Sequence, residues 1–143
     1  MTTVQQLTEV FSDNFVAYIR SHIAHLNVEG RHFESDHELL GDIYADLQAQ
    51  SDVLGELIRS LGEYAPESID QITQGSSVLP LPITGSADTL LSDVRGDLEQ
   101  LKVCYEDLIH IADEEDLLHI SNYAQDRVLA LSKFLWMLNA TLS

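Results

Sequence analysis

Four stretches of this chain repeat apolar residues at intervals of three or four, and the links between them run short, long, short. The first stripe is Val4, Leu7, Phe11, Phe15, Tyr18, His22 and His25; the second is Leu40, Ile43, Leu47, Leu54, Leu57 and Leu61. The third is Leu91, Val94, Leu98, Leu101, Tyr105, Leu108 and Ala112; the fourth is Leu117, Ala124, Val128, Leu131, Leu135, Leu138 and Leu142. This spacing predicts amphipathic helices, each about 25 residues long, a length more common in bundles than in mixed folds. No segment calls for a strand.

The punctuation agrees with that division. Gly30 breaks the first helix from the second, and so short a turn makes them antiparallel neighbours. Gly62 sits just past the last periodic residue of the second helix, where a C-terminal cap belongs. Residues 63–86 hold all three prolines, Pro66, Pro80 and Pro82, and form a long connection in which PESIDQIT can make a short helix. Ser86, Ala87 and Asp88 offer a start for the third helix. The acidic run at 113–116 separates the third from the fourth, near a helix N-terminus that favours negative charge. The expectation is a single all-α domain over residues 1–143. Its order resembles a ferritin-like four-helix bundle, with a long crossover between helices 2 and 3 containing a short helix.

Charge narrows the partners. Lys and Arg total 7 against 24 Asp and Glu, a formal net charge of −17. Affinity for nucleic acid comes largely from Lys and Arg displacing counterions, so DNA binding is disfavoured. Metal cations are what such a field attracts, although an acidic surface also keeps a protein soluble with no ligand at all. There is no apolar run long enough for a membrane span. The first residues show neither a basic n-region nor an apolar h-region, and a cytoplasmic location is expected. Cys104, the only cysteine, excludes an internal disulfide and a thiolate cluster.

A di-iron bundle site inside one chain would need Glu-x-x-His on two helices. The chain offers Glu34-Ser-Asp-His37 and the imperfect Asp116-Leu-Leu-His119. Each pair begins its helix, and helices 2 and 4 run in opposite directions, so the pairs lie at opposite ends of the bundle. His25 and His37 are a better pair, because the Gly30 turn holds the end of one helix beside the start of the next. Two imidazoles close together suit iron(II) or zinc. His22, a turn earlier on the apolar stripe, reads as a hydrogen-bonded core histidine. His32, His110 and His119 have no partner spacing. Asp52 and Glu56 share one face of the second helix at i and i+4. Glu56 lies about 180° from Leu47, away from the core, where a solvated surface is the default reading. His37 and Asp52 are 15 residues apart on one helix, or roughly 22 Å, so no single ion bridges them within a chain. They can meet only across a two-fold axis, where an isologous dimer forms two such sites.

This constellation is similar to that of the Dps family, twelve-subunit mini-ferritins with a ferroxidase centre at the dimer interface. HLNVEGRHFESDHELL resembles the family pattern His-Trp-Asn-Val-x-Gly-x-x-Phe-x-x-x-His-Glu at His25, Asn27, Val28, Gly30, Phe33, His37 and Glu38. Asp52 and Glu56 fall on its Asp-x-x-x-Glu, and Lys133, Phe134, Leu135 and Trp136 match its closing helix. The resemblance implies a dodecamer built from antiparallel dimers, in which His25 and His37 of one subunit and Asp52 and Glu56 of another bind iron. Glu56 would be the bridging ligand, and zinc a substitute for iron. It further implies oxidation of iron(II) by hydrogen peroxide or O2 and storage of the ferric product in a hollow shell, which limits Fenton damage. Pores near the start of the fourth helix make Asp113, Glu115 and Asp116 candidates for iron uptake, against the plainer reading of a helix-capping acidic loop.

Three departures qualify the resemblance. Gly41 stands where most members carry an Asp ligand one turn after the second histidine. Asp42 is adjacent but about 100° round the helix, so it substitutes only if the backbone bends; Gly41 and Gly55 would permit bending. Leu26 replaces an aromatic that could absorb an oxidising equivalent, and the basic N-terminal tail by which some members hold DNA is missing. Gly41 supports an alternative reading, a metal-sequestering cage with impaired or absent ferroxidase activity.

Overall fold

The computed structural model describes residues 1–143 and contains five helices and no strand: α1 (Thr3–Asn27), α2 (Phe33–Ser60), α3 (Ile69–Gly75), α4 (Ala87–Glu114) and α5 (Leu118–Leu142). Helices α1, α2, α4 and α5 form the bundle, with α3 in the crossover lying against α1. The boundaries have local causes. Thr2 and Gln5 form a reciprocal capping box at the start of α1, and Ser68 and Ser86 cap α3 and α4 through their side-chain oxygens. Gly30, at φ +120°, turns the chain between α1 and α2, and Gly62, at φ +89°, ends α2.

One continuous core fills the bundle, led by Leu7, Leu40, Ile43, Leu47, Leu98, Leu101, Tyr105 and Leu131. The stripes expected on α2, α4 and α5 lie in or against it. On α1 the expectation needs correction. Phe11, Phe15, Tyr18, His22 and His25 are only half-buried, while the buried line runs one residue earlier through Thr3, Leu7, Val10, Asn14, Ala17, Ser21 and Ala24. Polar members of that line are buried because each has a partner. Asn14 Nδ2 donates to the Leu47 carbonyl at 2.8 Å, and the Ser21 hydroxyl donates to the Tyr18 carbonyl at 2.9 Å. The displaced aromatics form a column along the flank of α1. His22 is therefore hydrogen-bonded but does not belong to the core.

Two buried ion pairs tie the elements together. Arg127 of α5 grips both carboxylate oxygens of Asp46 on α2, at 3.1 and 2.5 Å, while Tyr123 donates to Gln50 at 2.8 Å. The bundle interior between α2 and α5 is thus occupied by a polar network rather than by facing carboxylates and histidines. Arg20 binds Asp97 at 2.7 Å and also donates to the Leu81 carbonyl, fastening the crossover to α1 and α4.

Candidate metal centre

The C-terminal turn of α1 and the first turns of α2 bring His25 and His37 into face-to-face stacking, with ring centroids 3.8 Å apart and planes 16° from parallel. Their hydrogen bonds are reciprocal. His25 Nδ1 lies 2.7 Å from the His37 carbonyl oxygen, and His37 Nδ1 lies 2.7 Å from the His25 carbonyl oxygen. A carbonyl can only accept, so each Nδ1 carries the hydrogen. In the neutral rings both Nε2 atoms are therefore bare lone pairs, the form in which imidazole ligates a metal, with orientation fixed by the bond at the opposite nitrogen. Phe33 stacks on the outer side of His37 at 4.9 Å.

Gly41 has a steric reason to be glycine. A Cβ at this position would lie 3.1 Å from His25 Cε1 and 3.2 Å from its Nδ1. The ring of His25 lies tight against this position, so a side chain at 41 needs the ring to give by a few tenths of an ångström. Helix α2 continues unbroken through Gly41 and Gly55, and Asp42 remains exposed on the neighbouring face. The bend that would bring Asp42 to the histidines does not occur.

Asp52 and Glu56 are exposed on α2, on the face turned away from the core. Neither takes part in the chain's ion pairs, which are Arg20–Asp97 and Arg127–Asp46. Within one chain the histidine pair and this carboxylate pair do not converge: the sole cluster of three or more donors whose ligand atoms lie within 4.8 Å of one another is Glu9, Asp13 and Cys104. Sequence reasoning did not identify that cluster, and its chemistry is structural. Asp13 accepts from the Ser77 amide and hydroxyl at 2.6 Å each, from the Ser76 hydroxyl at 3.2 Å and from the Cys104 thiol at 2.7 Å. Burial and the Asp13 carboxylate push the Cys104 thiol well above its ordinary range, and burial with Asp13 nearby raises Glu9. Asp13 is a strut that anchors the crossover to α1.

His32, His110 and His119 are exposed. Asp113, Glu115 and Asp116 are exposed at the α4–α5 turn, where Asp116 takes a positive φ of 58°. The Glu115 carboxylate accepts from the hydroxyl and amide of Thr3, bonds that hold its pKa below the usual value. Tyr44 is a further residue of the centre that sequence reasoning passed over. Its ring lies 5.0 Å from His25 and stacks on His22 at 3.8 Å. Its i+7 spacing from His37 was the available signal.

No helix is long and apolar enough to cross a membrane. Residues 4–143 match the ferritin-like domain family. The "DNA protection during starvation protein" of Helicobacter pylori is 26% identical over 144 residues, covering all of both chains. The protein of that name in Listeria monocytogenes is 27% identical over 130 residues, covering 87% of this chain and 81% of its own. The X-ray structure of Dps from Listeria monocytogenes superposes with a TM-score of 0.94 at 24% identity, covering 99% of this chain and 94% of that one. Dps from Vibrio cholerae O1, described as one of the ferritin-like diiron-carboxylate proteins, gives 0.93 at 23% identity, with 99% and 89% covered. The chain belongs to the ferritin-like domain family, and the relatives and solved structures it resembles include Dps proteins.

Proposed function

We propose that this chain assembles into a dodecameric cage that oxidises iron(II) at sites shared between paired subunits and stores the ferric product. The observation that carries the reading is the reciprocal bonding of His25 and His37, which leaves two Nε2 lone pairs side by side. Asp52 and Glu56 of a second, antiparallel copy would complete each site with carboxylate oxygens, and Glu56 would bridge two ions. Such a donor set suits iron(II), with zinc as a substitute. Hydrogen peroxide or O2 would take the electrons. Exposed apolar side chains, among them Ile19, Ile23 and Leu26 of α1 and Val53 of α2, are available for burial against another copy. Twelve chains would carry about −204 before bound cations, a field that gathers Fe(II). Asp113, Glu115 and Asp116 would line the route inward. The charge that attracts iron also repels DNA, and a cytoplasmic setting fits such a cage.

The test is anaerobic Fe(II) loading followed by peroxide, with the ferric absorbance followed in time. Wild-type protein is expected to oxidise iron several-fold faster than His37→Ala or Glu56→Ala. Equal rates would refute the ferroxidase reading, and a monomer in light scattering would remove the site.

Gly41 favours a second reading, a cage that sequesters iron or zinc without turnover. It predicts tight metal binding in calorimetry with no acceleration by the wild-type residues.

A further inference from the structure

The first half of α1 borders a polar cavity of about 370 Å3, bounded on its other sides by the segment after α2 and by α3. Thr8, Glu9 and Ser12 line it from α1, and Ala65, Pro66 and Glu67 line it from the facing segment. Ser12 is 1% exposed, and its hydroxyl oxygen has no hydrogen-bond partner. Buried hydroxyls are normally paired, so an unpaired one in a cavity wall marks a place for a ligand. Gly75 of α3 stands beside it, where a Cβ would lie 3.3 Å from the Ser12 oxygen.

The carboxylates set the charge of that ligand. Glu9 and Glu67 line the cavity, and neither takes part in an ion pair. The Arg59 guanidinium is occupied by Tyr64, with its Cζ 4.3 Å from the ring centroid. Thr8 donates its hydroxyl hydrogen to the Val4 carbonyl at 2.8 Å, so toward a ligand its oxygen can only accept. Burial, with Asp13 nearby, raises the Glu9 carboxyl above its ordinary value, an effect that a neighbouring cation reverses. A bare metal ion finds no cage here, because the three donors that converge within 4.8 Å are Glu9, Asp13 and Cys104, and Asp13 is already bonded to Ser77 and Cys104.

Spacing then selects among organic cations. Glu9 is half-buried and Glu67 exposed, while Ala65 and Pro66 add half-buried apolar surface. A second hollow of about 460 Å3 shares Gln5, Thr8 and Tyr64 with the first and adds Glu63. Acceptors set apart along a trench with apolar patches match a methylene chain that carries an ammonium at intervals. We propose that this trench binds a linear aliphatic polyamine, one ammonium held by Glu9, Thr8 and Ser12 and the others by Glu67 and Glu63. The site is separate from the histidine pair and independent of iron chemistry.

Calorimetric titration of the intact protein, stripped of metal, with spermidine is the test, in about 0.1 M salt, where exposed charges more than roughly 10 Å apart are screened. One tight equivalent per chain is expected. Glu9→Gln should weaken it about tenfold, the size of one lost charge-assisted hydrogen bond, and Glu67→Gln, at an exposed residue with no part in packing, several-fold. Ser12→Ala should also weaken it, with the thermal midpoint unchanged or higher, because an unpaired buried hydroxyl is removed. Asp126→Asn, an equal loss of charge at an exposed position on α5, should leave it unchanged. Equal affinities in all four variants, or many weak equivalents, would reduce the binding to counterion attraction by the acidic surface and overturn the site. Equal binding of tetraethylene glycol, an uncharged chain of similar length, or of Mg2+ alone would overturn the polyamine assignment.

Discussion

Gly41 leaves little room beside the His25 ring, and a substitution separates their roles. Alanine at 41 would gain about 1 kcal/mol of helix propensity, but its Cβ would sit 3.1 Å from a ring that is already bonded and stacked. Gly41→Ala is expected to leave the thermal midpoint within a few degrees and to weaken zinc binding by roughly tenfold, as disturbed ligand orientation does; calorimetry and a thermal melt measure the two effects. Gly41→Asp meets the same tight contact, so an acid at this position should not by itself strengthen binding. The sequence revealed the absence of an acid at 41 and not its cause, because the clash depends on where the His25 ring lies across the α1–α2 turn.

At the scale of elements, the crossover depends on Asp13. Removing its carboxylate takes the acceptor from the Ser77 amide and hydroxyl and from the Cys104 thiol, while the Val78 amide keeps the Ser76 hydroxyl. Asp13→Ala is expected to cost about 2 kcal/mol, since hydrogen bonds to a buried charged group are lost with it; urea unfolding checks this. The helices themselves were legible, because periodicity, capping serines and glycines are local signals and each marks its own boundary. The inward face of α1 was not. Periodicity favoured Phe11, Phe15 and Tyr18, whereas the core accepted Thr3, Asn14 and Ser21, whose partners lie up to 112 residues away in sequence. The Asp13–Cys104 contact, 91 residues apart, left no spacing to read. His25 and His37 were legible because a short turn joins them.

For the whole molecule, excess negative charge opposes compactness. Added salt should therefore raise the melting temperature through screening. Protons should act in the same direction at first. Burial raises the pKa values of Glu9, Asp36 and Asp97 in the fold, with Asp13 adding to the effect on Glu9. A carboxyl with a raised folded pKa binds its proton more tightly folded than unfolded, so stability increases as pH falls through that raised value. The melting temperature is expected to be higher at about pH 5 than at pH 7. Glu115, held low by Thr3, works the opposite way, and its contribution disappears only on further acidification. Differential scanning calorimetry across this range distinguishes the two slopes.

The crossed bonds of His25 and His37 carry a further consequence for descent. Each imidazole fastens the backbone of the opposite helix, so both histidines have a reason to persist in a copy that has lost all metal chemistry. Asp52 and Glu56, exposed and outside both ion pairs, have no comparable duty at home. In a lineage that stopped handling iron, the carboxylates would drift first while the histidines stayed. The more sensitive record of past use is therefore the pair that does nothing for its own chain.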